Sequence, residues 1–346
     1  MNRRLAVVGT LLVDSIHRPG EEIVESLGGI AYSVAYLAAQ LAETAEVTPL
    51  SEAGQVARVD PRVDIQPICR VGADLFDELK SSWEQLPGVD PSHLIPDPKA
   101  TPRNTLVYGG GGVGADGVGD RSERPTGLLA PLTERDLAPI EGADLALVNC
   151  ITGRDLSLSA FRRVSAVCER VYLDVHSLAL GFADDGTRTY RRPPDWQSWI
   201  ARADVVQCNR AEAATLAGLD AFDHSPSLVD EFLQRLLMQA AERHTARPSV
   251  VVLTEGAKGA TLLWRCGGGV ERAGRVERTL IPAPAVDVVD PTGAGDAFGS
   301  GYALAWLQGA DPPEAATRGS RTGSAACTVS GISEPEKLRE AVERGR

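Results

Sequence analysis

A chain of 346 residues that is 43% hydrophobic and 24% charged has the composition of a folded globular protein, long enough for one large α/β domain with a small appendage or for two domains. Its formal net charge of −12 argues against a general nucleic-acid-binding or membrane-surface role, although a local field can still receive an anionic substrate. No run approaches the ~18 apolar residues that a membrane span requires.

The six cysteines (Cys69, Cys150, Cys168, Cys208, Cys266 and Cys327) form no Cys-x-x-Cys pair and fall mostly in apolar stretches, as in a cytoplasmic protein with reduced core thiols. The five histidines have no ligand spacing, which argues against zinc.

In chain order, the apolar run Leu5–Val13 follows Met1-Asn2-Arg3-Arg4 and has the outline of a secretory leader. Asp14 closes it early and no small-residue cleavage site follows, so it reads as a buried first strand. Residues 14–27 are polar and irregular, and a helix is expected over 31–43. A strand at Pro67–Arg70 and a helix at 73–86 come next. Residues 99–127 hold two short strand-like pieces around a glycine-rich run, 109–119. Gly109–Gly114 matches Gly-x-Gly-x-x-Gly, but Ala115-Asp116-Gly117 follows in place of a helix, so the run reads as a loop and not as a dinucleotide fingerprint. The stretches 12–27 and 99–127 are expected to build one small β lid on a single domain spanning 1–346.

Beyond them, strands at Leu145–Asn149, Val171–Val175, Val205–Cys208, Val250–Leu253 and Ala260–Trp264 alternate with helical stretches at 157–169, 195–202, 210–217, 227–244, 297–308 and 313–329. Continuous apolar strands indicate a sheet covered on both faces. The expected fold is a doubly wound, mostly parallel α/β sheet with ligands at the carboxyl ends of its strands.

The segment Asp290-Pro291-Thr292-Gly293-Ala294-Gly295-Asp296-Ala297-Phe298-Gly299-Ser300-Gly301 is the most informative. Val286–Val289 before it reads as a strand end, and a helix is expected from Ala297 to Gln308. The Gly-Ala-Gly turn then lies at a helix N-terminus, where free backbone N–H groups and the helix dipole favour an anion. Asp296 falls beside it. A carboxylate next to an anion hole is what phosphoryl transfer to a hydroxyl requires. Taken alone, Gly-x-Gly-Asp is more often a tight turn with a helix-start charge.

With that segment in place, the chain resembles the ribokinase-like (PfkB) carbohydrate kinase family over about residues 5–335. Asp290–Asp296, with Phe298 and Gly301, matches the family's C-terminal signature, and four shorter matches occur in the family's order. They are Val8-Gly9-Thr10-Leu11-Leu12-Val13-Asp14, Gly28-Gly29 before the helix beginning Ile30-Ala31-Tyr32-Ser33, Asn209-Arg210-Ala211-Glu212, and Thr254-Glu255-Gly256-Ala257-Lys258-Gly259.

The resemblance implies an ATP- and Mg²⁺-dependent kinase acting on a hydroxymethyl group of a sugar or sugar-like molecule. A nucleoside acceptor, or a non-catalytic ligand-binding relative, are the alternatives. By the same resemblance, Asp296 is the base and Gly293, Ala294 and Gly295 form the anion hole. Asn209 and Glu212 lie near the nucleotide phosphates, Glu212 reaching Mg²⁺ through water. Thr254, Gly256 and Ser320 contact the nucleotide; Asp14, Gly28 and Gly29 hold acceptor hydroxyls; and Asp290 helps hold a monovalent cation such as K⁺. Lid strands of relatives pair into homodimers, and an uncovered sheet edge is a physical reason for it.

Ser33 stands where sugar-phosphorylating members usually carry Asn, which leaves acceptor recognition open. Tyr32 beside it is either a base-stacking ring or core. Asn149 is a further acceptor contact to expect, His176 after Asp174-Val175 is either a ligand contact or structural, and Arg188–Arg192 is either a phosphate site or a solvated loop.

Overall fold

The computed structural model describes residues 2–46, 63–109, 121–222, 225–242, 247–265, 275–332 and 335–344. The glycine-rich run from Gly110 onward and Cys266 lie outside the described residues. The strands are β1 (Arg3–Val8), β2 (Leu11–His17), β3 (Val24–Gly29), β4 (Val63–Ile68), β5 (Arg70–Gly72), β6 (Ile95–Asp97), β7 (Arg103–Tyr108) and β8 (Arg121–Thr126), then β9 (Leu145–Asn149), β10 (Arg170–Asp174), β11 (Leu180–Phe182), β12 (Arg188–Tyr190), β13 (Val205–Asn209), β14 (Val250–Thr254), β15 (Ala260–Arg265) and β16 (Val276–Ile281). The helices are α1 (Ile30–Glu46), α2 (Phe76–Trp83), α3 (Leu158–Val167), α4 (Trp196–Ile200), α5 (Arg210–Ala217), α6 (Pro226–Glu242), α7 (Ala294–Leu307), α8 (Pro312–Ala326) and α9 (Pro335–Arg344).

Eight strands make the main sheet, in the order β16-β15-β14-β13-β10-β9-β1-β4. Pairing is parallel from β4 through β14, while β15 and β16 complete the edge antiparallel. Side chains two apart share a face of a strand, and the central strands are apolar on both faces. In β9, Ala146 and Val148 join a core with Phe161 of α3, Trp199 of α4 and Leu233 of α6. Leu145 and Leu147 join the opposite core with Val34 of α1, Tyr302 of α7 and Ala315 of α8. Helices therefore cover both faces, as in the expected doubly wound fold. Among the described residues no helix is long and apolar enough to cross a membrane.

A second sheet, in the order β3-β2-β7-β8, comes from the two sequence-distant stretches at 11–29 and 103–126. Leu5–Val13, expected as one strand, is two. The break is at Gly9 and Thr10, where a Cβ on Gly9 would come within 2.5 Å of the Asn149 carbonyl and the Thr10 carbonyl accepts the Ile30 amide at 3.1 Å. The chain passes there from the main sheet to the second.

Val286–Val289, expected as a strand end, is not a strand. The Val289 amide bonds to the Cys327 carbonyl after α8 at 2.7 Å, and Val288 and Val289 are 60% and 61% exposed. Helix α7 starts at Ala294, three residues before the expected Ala297, because Gly293 already serves as its N-cap at φ 78°.

Candidate active site

The loop entering α7 is fixed from inside. Asp290 is 1% exposed, and its Oδ1 accepts the Thr292 amide at 2.9 Å and faces an Arg18 guanidinium nitrogen at 2.7 Å. Gly293 is required twice over: its φ is in the left-handed region, and a Cβ would fall 2.3 Å from the Tyr32 ring. The Ala294 amide is engaged by the Pro291 carbonyl at 3.2 Å and the Ala297 amide by the Gly293 carbonyl at 2.9 Å. Among the described residues, the Gly293 and Gly295 amides take no such backbone acceptor. Of the three expected anion-hole residues, the two glycines thus keep their donors while Ala294 has spent its own. Gly295 is exposed, at the positive end of the 14-residue α7.

Asp296 lies in the first turn of α7 and is half-buried. At the carboxyl end of β9, Asn149 donates from Nδ2 to Asp296 Oδ1 at 2.7 Å and to Ser33 Oγ at 2.9 Å. Ser300 donates to the Asp296 carbonyl at 2.8 Å and to the Ser33 carbonyl at 3.2 Å. Three elements, α1, β9 and α7, thereby fix one carboxylate. Ser33 and Asn149, expected to face an acceptor, are 0% and 1% exposed; Asn149 meets both the Asp296 carboxylate and Ser33. The Asn149 Oδ1 is buried and has no hydrogen-bond partner.

On the second sheet, Asp14 accepts from Asn104 Nδ2 at 3.0 Å and is 4% exposed. A Cβ on Gly28 would come within 2.0 Å of Asp14 Oδ2, and one on Gly29 within 2.2 Å of the Thr10 carbonyl. Gly28 therefore lets the chain pass close to that carboxylate, and Gly29, at φ 62°, lets it pass close to the Thr10 carbonyl. Tyr32 is 2% exposed, so its ring is core and offers no face to a base. Burial pushes its phenol well up, and the charges of Asp14, Asp290 and Asp296 add to that. Asn104, Tyr108 and Arg18 were not read from the sequence. Tyr108 and Thr292 share a hydrogen bond at 2.9 Å between their hydroxyls.

Asn209 and Glu212 form a reciprocal capping box on α5. Asn209 Oδ1 accepts the Glu212 amide at 2.9 Å, and Glu212 accepts the Asn209 amide at 2.8 Å and Nδ2 at 2.7 Å. Asp174, at the carboxyl end of β10, is pushed well up by burial, with Glu212 and Asp296 raising it further and His176 opposing. Gln207 on β13 donates from Nε2 to Asp174 Oδ2 at 3.2 Å and to the Gly295 carbonyl at 3.0 Å, which ties Asp174 to the α7 turn. Among the described residues no group of three or more His, Cys, Asp or Glu could hold a metal by itself.

Thr254 ends β14 with its hydroxyl 3.4 Å from the Cys208 carbonyl, next to the exposed turn at Gly256, φ 56°. Ser320 differs: it is 5% exposed and donates to the Pro282 carbonyl at 2.9 Å, so its hydroxyl is already engaged. In the Arg188–Arg192 stretch, Arg191 and Arg192 are exposed, as a solvated loop requires, while Arg188 has a structural use and donates to the Thr152 and Ser177 carbonyls at 2.8 and 3.2 Å.

His176 is held at φ 28° with Nδ1 3.4 Å from Glu212 Oε1. Burial lowers its pKa, but the bond to Glu212 and the charges of Glu212, Glu123 and Asp174 outweigh that and raise it to about 9. With the folded value above the unfolded one, the stabilisation is complete below about pH 6.5 and is lost as pH rises through about 9. It is worth no more than about 3 kcal/mol, and less for a side chain 32% exposed. Denaturant unfolding in EDTA is expected to show the wild type losing more stability over that window than His176→Gln. Parallel pH curves would contradict the pairing.

The model of the pfkB family carbohydrate kinases matches residues 162–338, which include the Asn209–Glu212 pair and the whole α7 turn. The chain belongs to this family. This pfkB-family chain is 40% identical to the inositol 3-kinase of Zea mays over 88 residues, which is 25% of the chain and 21% of that protein. It therefore spans only about a fifth of the inositol 3-kinases it matches. It is 23% identical to the 2-dehydro-3-deoxygluconokinase of Escherichia coli K12 over 343 residues, covering 99% of the chain and 100% of the relative. Among the solved structures that share the fold are two kinases. One is a ribokinase from Thermotoga maritima (TM-score 0.65, 19% identity, 99% of both chains). The other is a pyrophosphate-dependent kinase in the ribokinase family complexed with a pyrophosphate analogue and myo-inositol (TM-score 0.67, 14% identity, 97% of this chain and 99% of that one).

Proposed function

We propose that this pfkB-family chain transfers the γ-phosphoryl group of ATP to a hydroxymethyl group of a sugar or sugar-like polyol. The observation that carries this reading is a half-buried carboxylate, Asp296, held by Asn149 in the first turn of α7 beside the uncommitted amides of Gly293 and Gly295.

In this reading Asp296 takes the acceptor's hydroxyl proton as the new O–P bond forms. The γ-phosphoryl group, passing in line, is held by the Gly293 and Gly295 amides while its bond to ADP breaks. Asp14 and the backbone at Gly28 and Gly29 receive acceptor hydroxyls, and the second sheet acts as the lid that excludes water. Asn209, Glu212 and the Thr254–Gly256 turn face the donor phosphates. Mg²⁺, carried largely on water, would neutralise donor charge near Glu212 and Asp174. The Glu212 and Asp296 charges that add to the upward push on Asp174 suit a cation arriving with the donor. The buried Tyr32 ring offers no stacking face to a nucleoside base, which supports a sugar or polyol acceptor, while Ser33 still leaves the mode of acceptor recognition open.

The test is a panel of pentoses, hexoses, sugar acids, myo-inositol and nucleosides, each with ATP or pyrophosphate as donor and Mg²⁺. Phosphorylation of a sugar or polyol with release of ADP is expected. Preference for a nucleoside, use of pyrophosphate alone, or no product with any acceptor would each overturn the reading.

A further inference from the structure

The end of β2 and the end of β7 close on the same tripeptide. Arg18, one residue past β2, pairs with Asp290 at 2.7 Å, and its guanidinium lies 5.5 Å from the centre of the Tyr108 ring. Tyr108 ends β7 and reaches Thr292 at 2.9 Å. The two strands are neighbours, with His17 opposite Val107.

A buried carboxylate needs a counter-charge. The family resemblance assigns that part at Asp290 to a monovalent cation. Here Asp290 Oδ1 already faces a guanidinium and accepts the Thr292 amide, while Oδ2 is 3.4 Å from Ser330 Oγ. A second positive charge at the same carboxylate would be repelled by the first. The residues present do not fit a K⁺ site.

We propose that Arg18 is the built-in counter-charge of Asp290 in place of a monovalent cation, and through Asp290 a positioning residue for the Gly293–Gly295 turn. Arginine suits the part: its charge is permanent and its planar fork can meet a carboxylate and an aromatic ring together. Only the activity arm of the test rests on the kinase reading.

Wild type, Arg18→Gln and Arg18→Lys are compared in about 0.1 M KCl, NaCl or choline chloride, an ionic strength that equalises screening. In thermal unfolding, the wild-type Tm is expected to be the same in the three salts. Arg18→Gln should have a lower Tm in choline chloride, raised by KCl, and Arg18→Lys should be as indifferent to the salt as the wild type. In turnover, Arg18→Gln should lose at least tenfold in choline chloride and regain part of it with K⁺, while the wild type and Arg18→Lys need no K⁺. A wild-type Tm or turnover that depends on K⁺ overturns the proposal. So does an Arg18→Gln variant equal to wild type in choline chloride. If Arg18→Gln fails to fold, the wild type and Arg18→Lys in choline chloride decide. If no acceptor supports turnover, the kinase reading fails and the thermal arm still decides the ion pair.

Discussion

Asp296→Asn is expected to lower kcat by ~10²–10⁴-fold, the usual worth of a general base, while leaving the fold and donor affinity intact. The substitution keeps the shape of the side chain and an oxygen for Asn149 Nδ2, now 2.7 Å from Asp296 Oδ1. The Ser300 bond goes to the backbone carbonyl of residue 296 and survives any side-chain change. What disappears is the ability to accept a proton. Stopped-time assays with saturating acceptor, nucleotide titration and thermal unfolding separate these effects. A kcat within tenfold of wild type would remove Asp296 as the base. A large loss of nucleotide affinity or of Tm would mean that the carboxylate acts in binding or folding.

The parts of this site legible in the sequence are those that a few consecutive residues encode. Asn209-x-x-Glu212 is a capping box, and a glycine turn before a helix announces free amides whatever surrounds it. The partners are a different matter. Asn104 meets Asp14 across 90 residues, Asn149 meets Asp296 across 147 and Tyr108 meets Thr292 across 184. No periodicity carries such pairings, because they are set by which strand ends the topology brings to one edge. The Asn149–Ser33 bond, across 116 residues, is likewise one that the sequence could not announce. The same limit explains the two strand errors. Apolar residues run on through the sheet-to-sheet crossing at Gly9, so a hydrophobic pattern cannot show it. Val286–Val289 has the β-branched content of a strand, yet the Val289 amide is taken by the loop after α8. The doubly wound core was legible because apolar strand and helix periods repeat along the whole chain.

The two glycines of the α7 turn are expected to separate stability from activity. Gly293→Ala meets two obstacles. Its left-handed φ of 78° costs a residue with a Cβ roughly 1–2 kcal/mol, and the methyl at 2.3 Å from Tyr32 adds an overpacking cost of about 1–3 kcal/mol because that ring is buried and cannot withdraw. A loss of about 2–5 kcal/mol in urea unfolding follows, with activity falling as the turn is displaced. Gly295→Ala meets neither obstacle. Its nearest neighbour would be Gln207 Nε2 at 3.7 Å, an ordinary contact, and alanine in a helical position is favoured over glycine by about 0.8–1 kcal/mol. Stability should be equal or slightly higher. The added methyl nevertheless crowds the exposed side of an amide proposed to hold the transferred phosphoryl group, where losing one donor typically costs ~10²–10³-fold in kcat. A drop of at least about tenfold in kcat with an unchanged unfolding midpoint would tie the Gly295 amide to the reacting group. Full activity in Gly295→Ala would take that amide out of the mechanism, and a fully stable Gly293→Ala would contradict the packing of Tyr32 against the turn.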